Sequence, residues 1–439
     1  MDFLKEIKNR VLIHDGSKGY MLQKKGLKGG ECPELWNVTH SDAVSDIYSL
    51  YKKAGSDVIQ TNSFQGNRIK LAEYSLEDRV YELNYEAARL AREVMGKSGF
   101  VTGSIGPLGI LFEPSGELTF EKAYDTFKEQ MKGLVDGGVD VINFETFTDV
   151  AEMRAALLAA KENFNLPVIC SVSFLENGKT LMGSDPYTVA VILKSLGADV
   201  IGTNCSSEVT KMVDLARIMY EAAGIPVSVK PNAGIPEVVN GEVRYNITPS
   251  EFAKISKEFV KYGARLIGGC CGTTPEHVQS IRMEIDGIEV PKLCSKGEHV
   301  ITSSVKSVII ENDGLKIAEI NSFKDEELYS SLNDGNVDCV LDRALDLTDG
   351  GFDAVLVNLG NISSQEVLLA ETVNTIQSYV KEPVLIETTN SAALEKALRI
   401  YKGKAGVVVS SSDDSIEEIL RTSAKYGSTI VEAGMLKYI

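Results

Sequence analysis

No stretch of this sequence approaches the ~20 consecutive apolar residues of a membrane span, which excludes a helical membrane protein. The opening residues, MDFLKEIKNR, carry charges throughout and no apolar h-region, so no secretion signal is read there and a cytoplasmic location is expected. Positive charge is in deficit: 45 Lys and Arg against 62 Asp and Glu give a formal charge of −17. A surface of that sign repels the phosphates of nucleic acid and of anionic membranes, so neither is expected as a partner. Cysteine is sparse and odd in number, seven in 439 residues. That is no disulfide framework in a long cytoplasmic chain, and metal binding, catalysis and plain burial stay open. A GxGxxG dinucleotide loop is also missing, because the first strand-like run leads into DGSKG at 15–19.

What is present is a soluble globular composition, 44% hydrophobic and 24% charged, in a chain longer than one ordinary domain needs. Short β-branched runs recur: VLIHDGS (11–17), DVIQTNSF (57–64), FVTGSIGP (100–107) and VDVINFETF (139–147). PVICSVSF (167–174), ADVIGTNC (198–205), PVSVKPNAG (226–234) and ARLIGGCC (264–271) follow. Between them lie segments with apolar residues at helical spacing, such as LEDRVYELNYEAARLAREVMG and TFEKAYDTFKEQMKGLVDGG. Near-continuous apolar strands alternating with helices predict a parallel sheet covered on both faces. Eight such units over 1–290 fit a (β/α)8 TIM barrel, typically about 250 residues long. An open doubly wound sheet is the second choice, and the missing glycine loop counts against it.

A barrel collects its chemistry at the C-terminal ends of its strands. Those ends carry Asp15, Asn62, Glu145, Asn204, Cys205, Asn232, Cys270 and Cys271. Cys205 ends the sixth run, while Cys270 and Cys271 end the eighth. In a closed barrel those two strands are separated by one other, so three sulfurs can meet. Three thiolates around a tetrahedral zinc leave a fourth position open, the mark of a catalytic rather than a structural site. Taken singly, each cysteine reads as an ordinary small apolar residue. A vicinal Cys270–Cys271 disulfide is a strained alternative. Cys32, Cys170, Cys294 and Cys339 fit no constellation. Gly268 and Gly269 let the backbone turn tightly and a ligand approach. Thr274 and Pro275 announce a helix start, and His277 just inside it reads as a packing or surface residue.

At this point residues 10–290 resemble the homocysteine-binding domain of the homocysteine S-methyltransferases, the group that includes cobalamin-dependent methionine synthase and betaine–homocysteine methyltransferase. The resemblance rests on DG at 15–16, GSDVIQTNSF at 55–64, GSIGP at 103–107, FETF at 144–147, GTNC at 202–205, PNAG at 231–234 and GGCCGTTPEH at 268–277. It implies zinc on Cys205, Cys270 and Cys271, the catalytic centre for methylating the homocysteine thiol to methionine. It implies that Asp15, Gly16 and the loop after them, with Glu145, hold the amino-acid end of homocysteine. Asn204 and Asn232 would lie close by. One departure is Tyr20, where the family often has Thr.

Residues 291–303, PKLCSKGEHVITS, read as a linker. The rest, 304–439, carries DAVLVNLG (353–360), PVLIETTN (383–390), GVVVSSS (406–412) and TIVEA (429–433) with helices between, and an earlier strand at SVIIEN or LKIAEI. This is a smaller α/β domain, about half of a second barrel. It resembles the first half of the pterin-binding domain of methionine synthase in degenerate form, with IIENDGLK at the first strand, Asn358 in LVN, and Glu387 and Asn390 later. No cobalamin-binding DxHxxG occurs. The expected methyl donor is therefore a methyl-corrinoid on a separate partner protein, or methyltetrahydrofolate. S-methylmethionine or betaine is the alternative within the family. A non-catalytic zinc subunit docking a corrinoid protein and a redox protein are the alternatives outside it. Open sheet edges in a half barrel point to a homodimer or a partner protein covering them.

Overall fold

The eight strand-like runs become one parallel sheet in the computed structural model. Its strands are Leu12–Ile13, Val58–Gln60, Phe100–Ile105, Val141–Phe147, Val168–Val172, Val200–Asn204, Val227–Lys230 and Ala264–Ile267. Each pairs with its successor from the second strand to the eighth, and the eighth pairs with the first. A parallel bridge from His14 to Val58 joins the first strand to the second and closes the ring. The structure is described for residues 1–438 except 114, 207, 240–241, 294–298, 312–313, 323, 348–350, 361, 363–364 and 410–415.

The helices form where the periodicity placed them. Val80–Met95 buries Val80, Leu83, Ala87, Ala88, Leu90 and Ala91 along one stripe. Thr119 caps Phe120–Asp136, its hydroxyl accepting from the Lys122 amide. The first helix, Phe3–Asn9, turns Phe3 and Ile7 onto a layer made by Leu12, Val58, Phe100, Val141, Ile169, Val200 and Leu266. That layer plugs the N-terminal end of the barrel and leaves the C-terminal mouth for ligands. No helix among the described residues is long and apolar enough to cross a membrane.

Two compact units divide the chain, Met1–Leu181 with Ala198–Lys296, and Met182–Gly197 with Gly297–Ile439. The helix Pro186–Ser195, which follows the fifth barrel strand in sequence, groups with the second unit. There Thr188 Oγ1 lies 2.8 Å from Ser307 Oγ. Val300–Thr302, inside the stretch read as a linker, is a strand that pairs antiparallel with Ser307–Ile309. Cys294, and Asn312 and Asp313 of IIENDGLK, lie outside the described residues.

The second unit holds a parallel sheet of Thr429–Glu432, Gly406–Val409, Val384–Glu387, Ala354–Asn358, Leu315–Asn321 and Leu436–Tyr438, in that spatial order. Its two edge strands are consecutive in sequence. Glu432 and Leu436 stand four residues apart, a span of at most about 14 Å. The sheet curls around a core of Leu315, Ile317, Ala354, Leu356, Leu385, Val408, Val431 and Leu436 plugged by Ile301 and Ile310. Its two edge strands pair with no further strand among the described residues, the open edges expected of a half barrel. Among the strand-end residues, Asn358 donates to Glu387 at 2.7 Å. Asn390 is spent on its own backbone, capping the helix Ser391–Ile400 through the amides of Ala392 and Ala393.

Two predictions follow from the packing. The ring of Phe100 meets Phe3 edge-on, centroids 5.4 Å apart, in the floor layer. Phe100→Ala is expected to cost about 3–5 kcal/mol, read in urea by the fluorescence of Trp36, the only tryptophan. Glu152 is buried, its Oε1 accepting from the Leu108 amide at 2.5 Å, and burial pushes its carboxyl from an ordinary 4.5 up to about 8. The folded state then holds a proton that the unfolded chain releases. Stability tied to this group falls as pH rises from 4.5 to about 8. Glu152→Gln is expected to flatten that decline, and an equally steep decline in the variant would assign it to other groups.

Candidate functional site

The ends of the sixth and eighth strands deliver the three sulfurs to one place at the barrel mouth. The sulfurs of Cys205 and Cys270 lie against each other, with Cα atoms 5.9 Å apart. Cys271 Sγ lies 3.6 Å from Cys205 Sγ, and all three ligand atoms fall within 4.8 Å of one another. Sulfurs at ~2.3 Å from a tetrahedral zinc stand about 3.8 Å apart, so in reduced form this set has the spacing and the donor chemistry for that ion. It is the one group of three metal-binding side chains among the described residues.

Two asparagines fix the sulfurs from behind. Asn232 Oδ1 accepts from the Cys271 amide at 3.0 Å and lies 3.2 Å from Cys205 Sγ, tying the seventh strand's end to both neighbours. Asn204 Oδ1 accepts from the Thr146 amide at 2.8 Å, and its Nδ2 donates to Thr146 Oγ1 at 2.7 Å. Thr146 and Cys205 both adopt left-handed backbone, φ 64° and 48°, a region that favours glycine and that non-glycine residues enter at a cost. Gly269 is needed for space: a Cβ there would meet the Thr273 side chain at 2.3–2.5 Å. Beyond it Pro275–Ile285 is helical as expected, and His277 packs: Nδ1 faces Thr274, Nε2 faces the Ile247 carbonyl, and its ring meets Phe252 edge-on.

Below the sulfurs runs a buried polar floor. Asp15 Oδ1 faces His14 Nδ1 at 3.0 Å, while Oδ2 accepts from Lys18 Nζ and, at 2.9 Å, from the Gln60 amide. Glu145 Oε1 accepts from Gln60 Nε2 and Ser104 Oγ, both at 2.5 Å, and Oε2 pairs with Lys230 Nζ. Lys230 also donates to Gln60 Oε1 at 2.6 Å. Burial pushes the Asp15 carboxyl up, yet Lys18 and His14 together hold it below its ordinary value. Burial, then the charge of Lys230, lower His14, so its imidazole stays neutral and links Asp15 to Thr102 Oγ1, 3.2 Å away.

The floor and the sulfurs bound a cavity of about 410 Å3. Of the residues expected at the site, Gly16, Asn62, Glu145, Cys205, Cys270 and Cys271 line it. Asp15, Asn204 and Asn232 stand behind the lining and act on it through other residues. Sequence reading passed over Lys18, Glu34, Gln60 and Lys230, all of which line the cavity. Glu34 is buried, with Oε1 accepting from the Gln65 amide at 2.8 Å, and burial raises its carboxyl. Cys32, 3.5 Å from Glu34 Oε2, and Cys170 inside the fifth strand are buried away from the triad.

The comparisons with known proteins bear on this barrel. A family profile described as "Homocysteine S-methyltransferase" matches residues 12–285, from the first strand to the helix after the cysteine pair. The chain belongs to the homocysteine S-methyltransferase family. It is 28% identical over 430 residues to a methionine synthase of Mycobacterium tuberculosis, covering 92% of this chain and 36% of that one. Over 300 residues it is 32% identical to a methionine synthase of Mycobacterium leprae, covering 64% and 25%. This chain thus spans about a third or less of the length of these relatives. The homocysteine methyltransferase MmuM of Escherichia coli, in its metallated form, shares the fold, with TM-score 0.53 at 22% identity over 63% of this chain and 96% of that one. Its oxidised form gives 0.52.

The Lys230–Glu145 pair yields a prediction. Removing one partner of a buried ion pair leaves the other uncompensated. Lys230→Met is expected to cost about 3–5 kcal/mol, and the double variant Glu145→Gln/Lys230→Met to recover most of it, measured by urea unfolding. A double variant no better than the single one would show that the two side chains are not energetically coupled.

Proposed function

We propose that this chain is a zinc-dependent methyltransferase that moves a methyl group onto the thiol of homocysteine, forming methionine. The observation that carries this reading is the meeting of Cys205, Cys270 and Cys271 on the wall of a cavity whose floor holds buried charges of both signs. The family membership and the names of the relatives support it. The three cysteines would hold the ion and leave its fourth position to the acceptor sulfur. Bound zinc supplies a thiolate at neutral pH, where a free thiol of pKa ~8.5 is mostly protonated.

The chain's own residues do the positioning. Asn232 and Asn204 hold the sulfurs and Thr146 in place, so the acceptor sulfur is presented at the mouth. Gly16 and the loop through Gly19 line the side of the cavity, where backbone amides can meet a carboxylate. Glu145, which accepts from Gln60, Ser104 and Lys230, holds Lys230 at the cavity floor. The acceptor sulfur then attacks the methyl carbon in line: the S–CH3 bond forms as the bond from methyl to donor breaks, and the donor departs with the electron pair.

For the donor we favour a methyl-corrinoid on a separate partner protein, or methyltetrahydrofolate; S-methylmethionine or betaine is the second choice. The paired charges in the cavity argue against a subunit that merely holds zinc, because metal holding needs none of them. The test offers methylcobalamin, methyltetrahydrofolate, S-methylmethionine and betaine separately to the reduced, zinc-loaded chain with homocysteine. Methionine is expected from methylcobalamin or methyltetrahydrofolate. Cys271→Ser is expected to abolish turnover and to lower zinc content well below the one ion per chain of the parent, while Cys32→Ser keeps both. Methionine from none of the donors, with full zinc loading, would overturn the reading.

A further inference from the structure

Two lysines face the cavity from the ends of nearby strands, Lys18 after the first and Lys230 at the close of the seventh. Both are buried, with 9% and 2% of their surface exposed. Lysine is almost never buried without a partner, and each here has one carboxylate. Their donor sets are not filled by acceptors, however. An ammonium carries three N–H donors. Lys230 Nζ has Glu145 Oε2 and Gln60 Oε1. Lys18 Nζ has Asp15 Oδ2 and, at 3.3 Å, the Gly16 carbonyl, with the face of Tyr51 4.9 Å away.

The carboxylates are in the opposite condition. Glu145 already accepts from Lys230, Gln60 and Ser104, and Asp15 from Lys18, the Gln60 amide and His14. The floor thus satisfies its anions internally and leaves its cations short of acceptors. The cations also oppose each other: burial first, and then the charge of Lys230 against the pull of Asp15, bring Lys18 below its ordinary value. An anion placed between the two ammoniums would relieve that repulsion and fill both donor sets with charge-assisted hydrogen bonds. An incoming ammonium would have to compete with Lys230 for Glu145.

We infer that the cavity recognises its thiol acceptor chiefly by a carboxylate seated between Lys18 and Lys230, and that the acceptor's amine is dispensable. This deepens the proposed function by naming the acceptor class: mercapto acids, of which homocysteine is one. The experiment is calorimetric binding to the reduced, zinc-loaded full chain. The probes are homocysteine, 4-mercaptobutyrate, which lacks the amine, and 3-aminopropane-1-thiol, which lacks the carboxylate.

The mercapto acid is expected to bind within about tenfold of homocysteine, and the aminothiol about 100-fold more weakly. Lys18→Met should weaken homocysteine and 4-mercaptobutyrate alike by about tenfold or more, leave the aminothiol unchanged, and be partly rescued in Lys18→Arg. The ligand series on the unaltered chain decides even where a variant fails to fold. An aminothiol that binds as well as homocysteine, with a mercapto acid that does not, overturns the inference while leaving methionine formation standing. Lysine-dependent binding of 4-mercaptobutyrate without methionine formation would keep the carboxylate site and sink the proposed reaction. If neither homocysteine nor 4-mercaptobutyrate binds, the inference falls.

Discussion

Cys205 and Cys270 are 65 residues apart in sequence and meet because the sixth, seventh and eighth strands lie side by side, in a sheet that also closes on itself. The closing contact is modest, a two-residue first strand paired with the eighth and a single bridge from His14 to Val58. It nevertheless sets which strand ends are neighbours. The sixth and eighth strands stand one apart, and Asn232, just past the end of the strand between them, reaches the Cys205 sulfur and the Cys271 amide, while closure brings Asp15 and Gly16, at the end of the first strand, beside the eighth. The same closure brings Lys18, after the first strand, round to the side of the mouth where Lys230 and Glu145 already sit. An open sheet would leave Asp15 and Gly16 at an edge, away from the rest of the cavity.

Much of this could be read from residue order because parallel β/α units repeat a local rule. The apolar run gives the strand, the helical spacing gives the crossover, and the polar residue after the run marks the mouth. Cys205, Glu145 and Gly16 were legible in that way. Lys18 and Lys230 were not, although both lie inside stretches that were read, DGSKG and PVSVKPNAG. A lysine beside a strand end is ordinarily a solvated surface charge. What makes these two interior is pairing with carboxylates at Asp15 and, 85 residues away, Glu145. Long-range pairing of that kind leaves no periodic trace. Asn204 and Asn232 stand at strand ends as their sequence positions imply, but their side chains serve Thr146 and the cysteines, a distinction that needs coordinates.

In the second unit the missed feature is a sixth strand. Leu436–Tyr438 is a three-residue strand, too short to stand out from its flanks, and it runs alongside Leu315–Ile317 rather than beside the strand it follows. With it, the apolar faces of every strand turn onto one core. Asn390 shows how far a strand-end residue can be from a ligand site, since its side chain is used up in capping a helix.

Strain and satisfaction are distributed unevenly around the mouth, and the pattern is informative. Thr146 and Cys205, the non-glycine residues in left-handed backbone at this site, follow Glu145 and Asn204 directly in sequence. The Asn204 side chain grips Thr146 through both backbone and hydroxyl. Conformations that cost free energy persist only where the surroundings over-determine them. Here two hydrogen bonds from Asn204 supply that determination at Thr146, and Asn232 supplies it at Cys205. The consequence is positional. Glu145 and Cys205 sit on backbone that is held from both sides, so the carboxylate paired with Lys230 and the first of the three sulfurs keep a fixed separation. The two halves of the cavity wall, polar floor and sulfurs, are thereby positioned by the same pair of strained residues.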